Sequence, residues 1–169
     1  METKKDICDW NEDIKWSELC MPYCIELLNR YSKKEFKRTK LEQDKKGSDL
    51  SNGKANIDVK ANRPIYDDTN IVIEWEKGWL LKEDSICTHV LWVSNNSIIL
   101  LDFKKLKEYC IGKRERLQRA CKSYWKTTKR DGYEWSVECT TVPMWIVNEC
   151  IIRKWEFNWG MVNKKESEE

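Results

Sequence analysis

Histidine, glycine and proline are scarce in this sequence of 169 residues, with one, six and three copies respectively. His89 is the only histidine, and the eight cysteines are scattered without a C-x-x-C pair, so the clustered ligands of a structural zinc site are missing. The glycines are isolated, which excludes a Walker loop and a dinucleotide-binding fingerprint. We therefore interpret the cysteines as buried, reduced thiols of a cytoplasmic protein.

Long apolar runs are also missing. No stretch approaches the ~20 apolar residues that cross a bilayer, and the first six residues lead into acidic residues rather than into the apolar core of a secretory signal. Charged residues make up 36% of the chain and apolar residues 40%. This composition predicts one soluble domain over residues 1–162, without membrane contact, followed by a charged, disordered tail at residues 163–169.

What the sequence does contain is a segment, residues 47–60, with the pattern of a β-hairpin. Asn52-Gly53 is typical of a type I′ turn, because both residues tolerate a positive φ. Asp58 and Lys60 are two residues apart in the second strand and therefore share one face, and Asp49 lies on the opposing strand. The hairpin thus predicts two carboxylates and an ammonium group in one place, the groups that a magnesium-dependent phosphodiester hydrolase requires.

Asp49 followed by Asp58-Val59-Lys60 resembles the PD-(D/E)XK, or restriction-endonuclease-like, nuclease superfamily, whose signature is an acid on one strand and D/E-x-K on the next. The resemblance to small phage-type members continues through an ordered set of segments: Gln43–Asp49, Ile57–Lys60, Asn70–Glu74, Lys77–Leu80, Thr88–Val93 and Ile98–Asp102. It implies a three-layer α/β/α fold around a central mixed sheet of about five strands. It also implies Mg²⁺-dependent cleavage of DNA that leaves a 5′-phosphate, with Mn²⁺ expected to substitute.

The resemblance assigns roles to the hairpin residues. Asp49 and Asp58 are the expected metal ligands, with the Val59 carbonyl as the third, because Mg²⁺ takes a few oxygen ligands and keeps several waters. Lys60 is expected to steady the attacking hydroxide or the developing negative charge. The family commonly has Glu at the position of Asp58, and Asp shortens that arm by one methylene. The alternative is an exposed hairpin whose outward face is simply polar.

Two further acids are candidates for the same site. Glu74 ends a strand that we expect next to the hairpin, and it is a candidate catalytic residue; a surface ion pair with Lys77 is the alternative. Glu18 is the candidate helix acid for a second metal ion or its water shell, in competition with Glu26. Asp44, which precedes the catalytic strand, is predicted to be a surface acid.

Positive charge is segregated along the chain although the net charge is only +2. Residues 104–130 contain eleven Lys or Arg residues against two acids, which is the electrostatic footprint of phosphate-backbone binding; a solvated helix face is the alternative. DNA is the expected partner, and both a monomer and a homodimer are compatible with the sequence. The candidate nucleic-acid-binding residues are Lys45, Lys46, Arg63, Lys113, Arg114 and Arg116. The alternative function is a non-catalytic nucleic-acid-binding or phage-type accessory protein on the same fold.

The periodicity of apolar residues predicts the remaining elements. A helix is expected over residues 14–33, and the last helix runs from Pro143 to residue 157. The other expected elements are an extended lead-in at 36–44, the hairpin at 48–61, strands at 70–76, 86–93 and 97–102, a basic helix at 103–125, a loop at 127–132 and a short strand at 134–140.

Overall fold

The computed structural model describes residues 7–8, 10–63, 70–76, 78–94 and 96–158, so the predicted tail at 163–169 lies outside the described residues. The helices are α1 (Trp10–Tyr31), α2 (Leu41–Asp44), α3 (Phe103–Gly112), α4 (Arg114–Ala120) and a 3-10 helix (Met144–Cys150). The strands are β1 (Ile7–Cys8), β2 (Lys37–Arg38), β3 (Leu50–Ser51), β4 (Asn56–Ala61), β5 (Ile71–Glu74), β6 (His89–Val93), β7 (Ser97–Asp102), β8 (Lys122–Arg130), β9 (Tyr133–Val142) and β10 (Ile151–Glu156).

The strands form two sheets. The larger is a mixed sheet of six strands in the order β10-β7-β6-β4-β3-β2, in which β4 and β6 run parallel and the other neighbours run antiparallel. The smaller sheet has the order β1-β8-β9-β5. The prediction that β5 lies next to the hairpin is therefore wrong, because β5 pairs antiparallel with β9 in the second sheet.

Two apolar clusters cover the two faces of the six-stranded sheet. On one face, buried residues of α1 pack against alternate residues of the central strands: Cys20, Met21, Cys24 and Leu28 against Ile57, Val59, Leu91 and Val93. On the other face, the intervening residues pack against β5, β9, α3 and the 3-10 helix: Val90, Trp92, Ile99 and Leu101 against Ile71, Ile73, Val142, Phe103, Leu106 and Met144. The fold is thus mixed α/β, as predicted, with six strands in the main sheet rather than five.

The second half of the chain contains more strand than the periodicity predicts. The basic helix ends at Ala120, and the predicted loop at 127–132 is instead the end of β8 and a tight turn into β9. Asp131 and Gly132 have φ angles of 49° and 80°, the two positive values that a type I′ turn needs. Residues 124–128 are mostly aromatic or β-branched and favour an extended chain. This preference outweighs the spacing of the lysines and arginines, which suggested a helix.

Two other expected elements also differ. The helix predicted from Pro143 is a 3-10 helix that ends at Cys150, after which β10 pairs antiparallel with β7 at the edge of the main sheet. The lead-in at 36–44 contains the two-residue β2 and the short α2. Within the described part of the chain, no helix is long and apolar enough to cross a membrane.

Candidate active site

The β3–β4 hairpin forms as predicted, but its turn is not of type I′. Asn52 does not have the positive φ that a type I′ turn requires, and Gly53 does, at 83°. The Asn52 side-chain oxygen accepts hydrogen bonds from the backbone N–H groups of Lys54, at 3.0 Å, and Ala55, at 2.8 Å, which closes a four-residue loop. The resulting register pairs Ser51 with Asn56.

The hairpin brings the two predicted carboxylates to one place. Leu50 pairs with Ile57, and the backbone N–H of Asp49 also donates to the Ile57 carbonyl, at 2.8 Å, so Asp49 lies at the end of β3 beside the residues that follow Ile57 on β4. The charge of Asp58 acts on Asp49, as expected for neighbouring carboxylates. Asp49 is therefore positioned by backbone hydrogen bonds next to the strand that carries Asp58.

The third predicted group, Lys60, reaches the same place. Its Nζ lies 3.1 Å from Asp58 Oδ1, in an ion pair whose side chains are 31% and 7% exposed. Asp49 Oδ2 accepts a hydrogen bond of 2.6 Å from the backbone N–H of Val59. The structure thus brings Asp49, Asp58 and Lys60 together, and the hairpin face that carries Asp58 is buried rather than simply polar and exposed.

The Val59 carbonyl points toward the Asp49 edge of β4. The backbone groups of Asn56 and Asn62 bond toward β6: the Asn56 carbonyl accepts from the residue before β6 and the Asn62 N–H donates to Val93, both at 2.8 Å. The backbone N–H and C=O groups of the even-numbered residues of β4 therefore point toward β6. Those of the odd-numbered residues point toward the opposite edge of the strand. The Val59 N–H meets Asp49 on that edge, so its carbonyl oxygen lies on the same side as that carboxylate.

The electrostatics of the site follow from this crowding. Burial, the charge of Asp58 and a hydrogen bond with Asp44 together raise the pKa of Asp49 to about 8, although the Val59 N–H and the charge of Lys60 act to lower it. Burial works to lower the pKa of Lys60, but the charges of Asp58 and Asp49 outweigh it and hold that pKa above its usual value. Lys60 is therefore a stable cation, whereas Asp49 holds its proton near neutral pH.

The site opens into a cleft of about 840 Å³. Trp79 forms part of its wall, with the Lys60 Nζ 5.6 Å from the ring centre and the indole N–H donating to the Val72 carbonyl at 3.3 Å. A side chain at Gly78 would collide with the backbone of Glu74, so only glycine lets the chain return this closely past the end of β5. Gly78 and Trp79, which belong to the segment Lys77–Leu80 of the family resemblance, therefore form one side of the cleft.

The two additional acids predicted from the resemblance are held by other partners. Glu74 forms an ion pair of 3.0 Å with Lys126 of β8, although its charge also contributes to the raised pKa of Lys60. Glu18 is exposed and pairs with both terminal nitrogens of Arg38, at 2.6 and 2.7 Å. The predicted surface partner of Glu74, Lys77, lies outside the described residues.

The donor set available to a metal ion is small. Among the residues that the structure describes, no three His, Cys, Asp or Glu side chains come close enough to hold one ion, so Glu18 does not join the two aspartates. What remains is the pair Asp49 and Asp58 with the Val59 carbonyl on the same edge. Mg²⁺ accepts such a site, because it retains several of its own waters.

The predicted nucleic-acid-binding residues fall into two groups. Lys45 and Lys46 are exposed on the loop that follows α2, next to the cleft residue Gly47. Arg63 instead forms an ion pair of 2.6 Å with Asp13 and is mostly buried, its side chain being 18% exposed.

The second group lies at the junction of α3 and α4. Lys113 Nζ is 4.3 Å from the Tyr109 ring centre, and Arg116 is exposed. The Arg114 guanidinium lies 5.0 Å from the Trp75 ring centre and 3.9 Å from Glu76, a residue that lines the cleft. This basic group therefore reaches the rim of the cleft through Arg114.

Sequence reasoning missed two residues of the site. Asp44, predicted as a surface acid, lines the cleft and hydrogen-bonds Asp49, because the chain turns at Gly47, whose φ is 80° and whose N–H donates to the Asp44 carbonyl. Cys87 lies beside Asp58, and burial raises the pKa of its thiol to about 12, so the thiol is neutral. The only sequence signal for Asp44 is the glycine between it and Asp49; Cys87 depends on the parallel pairing of β4 with β6, which has no local signal.

No protein-family model, no curated protein and no solved structure matches this chain. Functional inference therefore depends on the residues of the cleft and their geometry.

Proposed function

We propose that this protein is a Mg²⁺-dependent nuclease of PD-(D/E)XK type that hydrolyses phosphodiester bonds of DNA in the cleft formed around Asp49, Asp58 and Lys60. The observation that carries the proposal is the convergence of these three groups. Asp49 accepts a hydrogen bond from the Val59 N–H and lies beside Asp58, and the Lys60 amine lies 3.1 Å from Asp58. A structural ion pair would need only one of the two carboxylates.

The site also fits the cation that such an enzyme uses. Asp49 and Asp58, with the Val59 carbonyl, form a set of hard oxygen donors, and the raised pKa of Asp49 means that this buried carboxyl group would gain from a nearby cation. When bound, Mg²⁺ or Mn²⁺ would polarise the scissile phosphate and activate a water molecule. Lys60 supplies a fixed positive charge next to Asp58, where it stabilises the negative charge that develops on the phosphate.

The proposal includes the three-layer α/β/α arrangement of the fold. The six-stranded sheet with α1 on one face and α3 on the other is compatible with the three-layer core of restriction-endonuclease-like proteins. On this view the sheet formed by β1, β8, β9 and β5 is an addition to that core.

The experiment is a cleavage assay with supercoiled plasmid and end-labelled oligonucleotides in Mg²⁺, Mn²⁺ or EDTA. Wild-type protein is expected to cut with either cation and not in EDTA, and Asp58→Asn is expected to be inactive. Glu149→Gln, which removes an exposed acid outside the cleft, is the matched control and should cut normally. Intact DNA under every cation, with folded protein, would refute the proposal.

A second candidate function is nucleic-acid binding without cleavage. The basic group of Lys113, Arg114 and Arg116, in which Lys113 and Arg116 are exposed, favours it, because such a surface attracts phosphate backbones whether or not the cleft is catalytic. Binding of the same DNA with no cleavage under any cation would support this function.

A further inference from the structure

One face of the β8–β9 hairpin carries a row of side chains that begins beside Glu74, whose backbone packs closely against the cleft residue Gly78. Lys126 pairs with Val137 in the register of the two strands, and Cys139 pairs with Glu74 of β5. Residues two apart on a strand share a face, so Trp135 and Tyr133 continue the row from Val137 toward the turn. We call Lys126, Trp135 and Tyr133 the aromatic face.

The row is connected electrostatically to the candidate active site. Lys126 Nζ lies 3.0 Å from Glu74 Oε1, and the charge of Glu74 acts on Lys60. Successive positions along the row are about 6.6 Å apart, because each spans two residues of a strand. From Cys139, which pairs with Glu74, to Tyr133, the row therefore spans about 20 Å along β9.

The rings on this face are exposed to solvent, although burying such large apolar surfaces would stabilise the fold. Tyr133 is 77% exposed and Trp135 45%. Large aromatic side chains exposed in a row next to a polar cleft indicate a ligand with flat apolar faces. Bases of a duplex are already stacked on each other and present only their edges, whereas unpaired bases offer the whole ring for stacking.

We propose that the aromatic face binds unpaired nucleotides of the substrate strand next to the scissile phosphate, with Trp135 and Tyr133 stacking on bases and Lys126 contacting a phosphate. The inference rests on the proposed nuclease function and specifies its substrate class: a nucleic acid with a single-stranded segment that adjoins the cut.

The test measures binding without cleavage. Wild-type protein in EDTA is titrated into a fluorescein-labelled oligothymidylate of about 15 nucleotides, a length within the range of single-strand sites, and into a blunt duplex of equal length. The oligothymidylate is expected to bind more tightly than the duplex. Trp135→Ala and Tyr133→Ala are each expected to weaken oligothymidylate binding by about 5- to 150-fold, the range for loss of one stacked base.

The hairpin offers a matched control. Trp125 is 67% exposed on the same hairpin but on its opposite face, because it pairs with Glu138. Trp125→Ala should leave oligothymidylate binding unchanged, and Tyr133→Phe, which keeps the ring, should retain it. Circular dichroism melting of each variant separates a loss of stacking from a loss of fold, and Trp135→Leu, which keeps an apolar side chain without a ring, replaces Trp135→Ala if the alanine variant unfolds.

The outcomes also separate this inference from the nuclease proposal. Oligothymidylate binding that depends on Trp135 and Tyr133 but not on Trp125 supports the aromatic face, even if no cation produces cleavage. Equal losses in all three variants, no loss in any, or tighter binding of the duplex overturn it, even if the wild-type protein cuts DNA. Absence of binding to either probe likewise overturns it and would indicate a protein partner for the exposed rings.

Discussion

The raised pKa of Asp49 predicts an unusual dependence of stability on pH. The carboxyl group holds its proton up to about pH 8 in the folded protein, because burial and the neighbouring Asp58 oppose ionisation, whereas in the unfolded chain it releases the proton near the ordinary value of 3.8. Between these values the folded state binds more protons than the unfolded state, so the free energy of unfolding falls as the pH rises. Asp49→Asn removes this dependence, because asparagine resembles the protonated acid and cannot ionise.

The size of the effect follows from the shift. A single group contributes at most about 1.4 kcal/mol per pH unit across the window in which the folded and unfolded states differ in protonation. Solvent reaches this half-buried side chain, so we expect the stability difference between Asp49→Asn and wild type to grow by about 2–4 kcal/mol between pH 4 and pH 8. The variant is the more stable protein at the upper end of this range.

Urea unfolding in EDTA, followed by circular dichroism at several pH values, measures this difference directly. Mg²⁺ at pH 8 to 9 should restore stability to the wild type and not to Asp49→Asn, because the cation would neutralise the ionised Asp49 carboxylate in place of its proton. Parallel stability curves for the two proteins from pH 4 to pH 8 would refute the raised pKa of Asp49 and the buried setting that causes it.

Three other changes test the site and its supports. Lys60→Ala should reduce Mg²⁺-dependent cleavage at least about 100-fold and also lower the urea midpoint, because it leaves the buried Asp58 carboxylate unpaired; normal cutting would exclude Lys60 from the chemistry. Gly78→Ala should destabilise the protein by about 1–3 kcal/mol in thermal melts, because its methyl group meets the Glu74 backbone, and an unchanged melt would contradict the tight turn. Gly132→Ala should cost about 1–2 kcal/mol in the same assay, because alanine must adopt a φ of 80°, and a smaller cost would argue against the type I′ turn.

The sequence predicted the parts of the site that depend on short-range structure. Asp49, Asp58 and Lys60 lie within twelve consecutive residues of one hairpin, so strand alternation was enough to place them together. The partners of Glu18 and Glu74 come from β2 and β8, and no local pattern announces Arg38 or Lys126 as the residue that will hold each acid. The sequence signals for these acids were therefore compatible with the site but could not decide their role.

The second sheet was missed for a different reason. The lysines and arginines of residues 113–130 have spacings that suit a helix face, and charge alone does not distinguish a helix from a strand. The deciding signal was the Asp131-Gly132 pair between two segments rich in aromatic and β-branched residues, which favours a hairpin. Once β8 and β9 form, β9 offers a free edge to β5, and this pairing draws Glu74 away from the main sheet.

The turn predicted at Asn52-Gly53 was wrong, yet Asp49, Asp58 and Lys60 still lie together, and the register of the hairpin explains why. A two-residue turn at Asn52-Gly53 would pair Ser51 with Lys54, whereas the four-residue loop pairs Ser51 with Asn56 and brings Asp49 beside the Ile57–Val59 part of β4. The two registers differ by two residues, which is one full period of a strand, so every side chain keeps its face. A register error of one residue would have turned Asp58 and Lys60 into the α1 core and removed the site. The face of a residue is thus the robust part of such a prediction, and the exact partner across the strands depends on the turn, here on the two hydrogen bonds that the Asn52 side chain accepts.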